Sequence, residues 1–113
     1  MKTYKVRLRI WIDEKQQGAF VGIGRILLLE NIKKTGSITN AAKGLKMSYR
    51  RAWQLVEDMN ARARKPLVEK KLGGAGGGGA CITSAGEETI RKFYELENRI
   101  KEFAYNEATK IEF

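Results

Sequence analysis

Between Gly36 and Asn60 the apolar residues recur twice at helical spacing, with a short polar turn between the two runs. Ile38, Ala41, Ala42 and Leu45 stand at i, i+3, i+4 and i+7, which predicts a helix of about two turns with Ser37 as its N-cap. After Lys46-Met47-Ser48, the residues Ala52, Leu55, Val56 and Met59 share one face of a second predicted helix, with Ser48 as its cap. At about 100° per residue, Arg50 and Gln54 point away from that buried face. Arg51 falls to one side and Tyr49 near the core margin. A hydrogen-bonding, basic edge is thereby turned outward, as a helix-turn-helix requires of the helix that enters the major groove. The small pair Ala41-Ala42 allows the two helices to approach closely. Any two packed helices share this periodicity, so the flanking segments carry the distinction.

On the N-terminal side, Val6, Leu8, Ile10 and Ile12 alternate with Lys5, Arg7, Arg9 and Trp11, the pattern of a half-buried strand. Its basic face suits either DNA or the protection of a sheet edge. Asp13 to Gly18 is a polar turn, followed by Phe20-Val21 and a helix from about Gly22 to Lys34. That helix is apolar on more than one side: Ile23, Ile26 and Leu27 share a face while Leu28 and Ile32 point elsewhere. A small domain has difficulty burying both faces, so Leu28 and Ile32 are expected in a subunit interface.

On the C-terminal side, Pro66 to Lys71 and Ala80 to Thr83 read as two short strands joined by a run of six glycines in seven residues, Gly73 to Gly79. This is the outline of a wing, with Lys70, Lys71 and the loop amides of Gly76, Gly77 and Gly78 meeting the phosphate backbone. The alternative is a simple hairpin connection, for which so many glycines carry a large ordering entropy. Gly74 to Gly79 also matches GxGxxG, but no helix opens after it, so nucleotide binding is a weaker reading. Ser84 and Glu87 form a capping-box signature for a last helix running to about Ala108. Ile90, Phe93, Leu96, Ile100 and Phe103 stripe that helix, and Phe93, Ile100 and Phe103 are expected to reach a partner subunit.

Composition points the same way. With 113 residues there is room for one domain, 1–113, with a modest core. The net charge of +9, from 22 Lys and Arg against 13 Asp and Glu, suits a polyanion. Arg50, Arg51, Arg62, Arg64, Lys65, Lys70 and Lys71 gather around the second helix and the wing, whereas Glu57 and Asp58 fall toward that helix's far end. There is no histidine, and the single Cys81 sits in an apolar strand pattern, so no metal site, cofactor or catalytic residue is expected. One cysteine suits a reducing cytoplasm. The chain opens on an alternating segment instead of a signal peptide, and its longest apolar run, Ile26-Leu27-Leu28-Leu29, is far too short to span a bilayer.

The string from Gly36 to Trp53, continued by Met59-Asn60, Leu67-Val68-Glu69, the glycine run and Thr83-Ser84-Ala85-Gly86, resembles the N-terminal DNA-binding domain of the ModE-type molybdate-responsive regulators. The resemblance runs from about Ile23 into the last helix. Its Gly-Ser, Ala-Ala, Leu and Ser positions are shared with LysR-type regulators, while Ser-Tyr, Ala-Trp, Met-Asn and the multi-glycine wing favour the ModE type. It implies a dimeric winged-helix transcription factor concerned with molybdate uptake and molybdoenzyme genes. Full-length members carry a C-terminal molybdate-binding region that does not fit before Phe113, so the expectation is a stand-alone DNA-binding form, with its signal drawn from a separate effector or sensor protein or from its own concentration.

The expected fold is mainly α with a small β-sheet: a winged helix-turn-helix with an N-terminal strand, helix-turn-helix about 37–63, wing about 66–83 and a long C-terminal helix about 84–108. The expected partner is double-stranded DNA, read by Ser48, Tyr49, Arg50, Arg51 and Gln54. The principal rival is a winged-helix module that binds an acidic protein.

Overall fold

The computed structural model describes residues 4–71 and 79–113. A hairpin of β1 (Trp11–Glu14) and β2 (Gly18–Gly22) leads into α1 (Ile23–Thr35), α2 (Ile38–Gly44) and α3 (Tyr49–Arg62). A second hairpin, β3 (Val68–Lys71) with β4 (Gly79–Ile82), precedes the 25-residue α4 (Ser84–Ala108). Among the described residues, four helices and two small antiparallel sheets make a winged helix-turn-helix, mainly α as the hydrophobic pattern required.

Both expected caps of the central motif are formed. The Ser37 hydroxyl accepts from the Asn40 amide at 3.1 Å and Ser48 accepts from the Arg51 amide at 3.1 Å, so each helix starts where a side-chain oxygen satisfies an otherwise orphaned N–H. Gly36, at φ 68°, ends α1 in the left-handed conformation and donates to Ile32 O, which lets the chain turn at once into α2. The α2–α3 turn closes through Met47 N to Ala42 O at 2.9 Å. The last helix starts from Thr83, whose hydroxyl accepts from Gly86 N at 3.0 Å. The capping box expected at Ser84 and Glu87 does not form: the cap falls one residue earlier, on Thr83, which also donates to Pro66 O and is held in the extended conformation a cap needs, and Gly86 at the third helical position has no side chain to reach back.

The interface role expected of Leu28, Ile32 and Phe93 is overturned. Leu28 and Ile32 are 0% exposed and Phe93 is 1% exposed within a single chain. Helix α1 is the central element of the domain, contacted by β2, α2, β4 and α4, so its apolar residues Ile26, Leu28, Leu29 and Ile32 are all enclosed. A helix hydrophobic on most sides is a buried helix, and here the wing and α4 supply the second wall. Leu27, expected on one face with Ile23 and Ile26, is one of the exposed large hydrophobics, whereas Ile26 is fully buried. On α4, Phe93 faces the core while Ile100 is half-buried and Phe103 is 67% exposed, so the helix leaves the body partway along its length.

The N-terminal strand is shorter than expected. Ladder pairing begins at Trp11, opposite Gly22, and residues 4–10 keep the alternation of half-buried Val6, Leu8 and Ile10 with exposed Lys5, Arg7 and Arg9 without a strand partner among the described residues. Alternation sets which side chains are covered; a strand also needs a neighbour, and β2 is only five residues long. The polar turn expected at Asp13 to Gly18 is narrower, with Asp13 and Glu14 inside the ladder.

Candidate nucleic-acid interface

Helix α3 divides into two faces. Ala52, Val56 and Met59 are fully buried and Leu55 nearly so, which locks the helix onto α2 and the core. Ser48, Tyr49, Arg50, Arg51, Trp53, Gln54 and Glu57 are exposed. Arg50 and Gln54, four residues apart, lie on one ridge of the open face, and Ser48, Tyr49 and Arg51 sit about its N-terminal end. That end is exposed, and the chain reaches the Ser48 cap through the tight turn from α2.

The second hairpin stands beside α3 and is fixed to it by Asn60. Its side-chain oxygen accepts from Leu67 N at 2.8 Å and Val68 N at 3.2 Å, while its amide donates to Val68 O at 2.9 Å. One side chain thus satisfies three main-chain groups at the start of the wing. The other strand is tied to the α1–α2 corner by Ala80 N to Gly36 O at 3.0 Å, next to an isolated bridge between Ser37 and Gly79. Asn60 was visible in the sequence only as part of a resemblance; its role depends on the 7 to 8 residues that separate it from its partners, a spacing no helical or strand period marks. Helix α4 crosses close by at Gly86, where an added Cβ would lie 2.3 Å from Leu67 O.

Lys70 and Lys71 are both exposed on β3, and as neighbours on a strand they point to opposite faces of the hairpin. Lys70 is already engaged: its ammonium bonds to the Glu57 carboxylate and lies 4.4 Å from the Trp53 ring centroid. Glu57, expected to stand clear of phosphates, is therefore a counterion to the wing. The loop positions Gly76, Gly77 and Gly78 lie outside the described residues.

Arg62 does not belong with the free basic groups. Its side chain is 8% exposed, its guanidinium donates to Gln17 O at 2.8 Å, Gly18 O at 3.3 Å and Ala19 O, and it pairs with Asp58 at 3.4 Å. It clasps the first hairpin to the end of α3. Asp58 also pairs with Arg25 at 2.5 Å, and the Arg25 hydrogen bond holds its carboxyl below the usual carboxylate range. These ion pairs orient α3 against α1 and the hairpin; Arg64 and Lys65 remain exposed at its end. Among the described residues no cluster of three His, Cys, Asp or Glu side chains is arranged to hold a metal, and no helix is long and apolar enough to cross a membrane.

No family model matches the chain. The transcriptional regulator ModE of Haemophilus influenzae is 38% identical to it over 106 residues, which is 94% of this chain and 40% of that protein. The DNA-binding transcriptional dual regulator ModE of Escherichia coli K12 is 40% identical over 91 residues, 80% of this chain and 34% of that protein. The chain thus spans between 34% and 40% of the length of these relatives. Among solved structures, the DNA-binding domain in the CbnR–DNA complex superposes with a TM-score of 0.59 at 21% identity, covering 78% of this chain and 99% of that one. Identity at that level speaks to the fold alone, and the fold is shared. The chain is homologous to the ModE transcriptional regulators over their N-terminal part, and its architecture is that of a winged-helix DNA-binding domain.

Proposed function

We propose that this protein is a sequence-specific DNA-binding transcriptional regulator. The observation that carries the proposal is the open face of α3, where Arg50 and Gln54 share an exposed ridge behind the Ser48 cap and beside a basic wing strand. Arginine and glutamine donate in the bidentate geometry that guanine and adenine edges accept, each good pair contributing about 1 to 3 kcal/mol of discrimination. Ser48, Tyr49 and Arg51 flank that ridge. Lys70 and Lys71, with the loop of Gly76 to Gly78, serve the phosphates and act on all sequences alike. The +9 net charge supplies the long-range attraction. Such a protein works in the cytoplasm, with the genome, and its homology makes genes of molybdate uptake and molybdoenzymes the first place to look for its sites.

A homodimer fits this role. Ile100 and Phe103, on the part of α4 that leaves the body, offer apolar surface to a second copy, and two α3 helices about 34 Å apart would address a pseudo-palindrome. Sedimentation equilibrium is expected to give twice the 12.8 kDa chain mass, and Phe103→Glu to return it to one chain. A single-chain mass at all concentrations would remove the dimer.

Selection of sites from a random duplex library at two salt concentrations tests the main reading. Enrichment of a pseudo-palindrome is expected. Arg50→Ala should then flatten sequence preference, whereas Lys70→Ala should weaken all sequences and lower the salt slope by at most about 1. Absence of any DNA binding would move the function to protein interaction through the same face.

A further inference from the structure

Two large aromatic side chains lie open on α3: Tyr49 is 48% and Trp53 39% exposed. Four residues apart, they form an apolar ridge parallel to the Arg50–Gln54 ridge on the same helix. The two rows present different chemistry. One offers hydrogen bonds, the other apolar surface, and Trp53 stands between the levels of Arg50 and Gln54.

Trp53 is also held in place. The Lys70 ammonium sits 4.4 Å from its ring centroid, and Lys70 is in turn bonded to Glu57, so wing strand, indole and carboxylate form one connected group on the outer side of the helix. That contact leaves over a third of the residue open to water. A tryptophan used only to cover the wing would gain more by lying down over it, since exposed apolar area is unfavourable in proportion to its extent. The open part has a natural complement in the groove. Among the base edges exposed there, thymine alone carries an apolar substituent, its 5-methyl group.

We propose that Trp53 is a specificity residue that packs against a thymine methyl, next to the base engaged by Arg50 or Gln54. This rests on the DNA-reading function proposed above. The pairing of rows has a consequence for the site: glutamine matches the adenine edge and the indole matches the thymine methyl, so the two together favour adjacent A·T pairs at the step facing Trp53. The Lys70 ammonium over the ring holds the indole in this orientation.

Replacing each thymine of the selected duplex singly by deoxyuridine removes the methyl and nothing else. With the wild-type protein, one position per half-site is expected to lose about fourfold in affinity, the equivalent of one buried methyl group. At that position Trp53→Ala and Trp53→Gln should bind thymine and deoxyuridine equally well while still preferring the selected sequence elsewhere. The deoxyuridine series on the wild-type chain stands even where a variant folds poorly. Indifference of the wild type to every substitution would overturn the inference and leave sequence reading intact. Equal weakening of thymine and deoxyuridine sites by both variants, with their ratio preserved, would reduce Trp53 to a support for the wing. Failure to select any sequence would remove the DNA reading and this inference with it.

Discussion

Asn60→Ala isolates the connection between the reading helix and the wing. The wild-type side chain accepts from Leu67 N and Val68 N and donates to Val68 O, at 2.8, 3.2 and 2.9 Å. Leu67 and Val68 are each 2% exposed, so water does not readily replace what the substitution removes. Three bonds at about 1 kcal/mol each, with main-chain groups left short of partners, give an expected loss of about 2 to 4 kcal/mol. For a domain of this size that corresponds to a fall in Tm of roughly 10 °C. Equilibrium urea unfolding at one fixed protein concentration reads the loss directly, with the concentration held because association would shift the midpoint. Asn60→Asp keeps the two accepted bonds but sets a carboxylate oxygen against Val68 O, so it should not recover the wild-type stability. Hydrogen exchange should quicken at the wing amides before it does in α1, since the tie is local. A loss under about 1 kcal/mol for the alanine variant would refute the reasoning and mean that the wing is held by its apolar contacts alone.

The remaining expectations concern α4. Gly86→Ala raises helix propensity by about 1 kcal/mol, yet its Cβ would meet Leu67 O at 2.3 Å and Ile82 Cγ2 at 2.7 Å, so thermal melting should show net destabilisation, overpacking costing about 1 to 3 kcal/mol. A stabilised variant would mean that α4 can move away from Leu67 and β4. Burial, and then the bond to Glu30, push the Tyr94 hydroxyl up to about 12. An unfolded tyrosine titrates near 10, so the unfolded chain loses this proton first and the stability present below about pH 10 is lost as the pH rises toward 12. Tyr94→Phe should be less stable at neutral pH but show a shallower alkaline decline in urea midpoints; parallel curves would contradict the assignment.

The local parts of this protein were legible because their causes are local. Ser37 and Ser48 cap the helices they precede, the i, i+3, i+4 spacing of Ala52, Leu55, Val56 and Met59 marks the buried face of α3, and the exposure of Arg50 and Gln54 follows from that face by geometry. The long last helix and the second hairpin follow from the same kind of pattern. What hydrophobic periodicity does not state is how many walls surround an apolar helix. Leu28, Ile32 and Phe93 looked like surplus apolar surface along the chain; the tertiary arrangement encloses them because β4 and α4, distant in sequence, close over α1. The same holds for charge. Arg62 counts as a free cation in the sequence and becomes a clasp once the β1–β2 turn presents carbonyls to it, and Lys70 acquires Glu57 and Trp53 only when the wing lies against α3. Helix position, capping and outward face were thus set by neighbouring residues, whereas burial on a second side, the partner of each charge and the angle of wing to helix were decided by contacts between segments far apart in the chain.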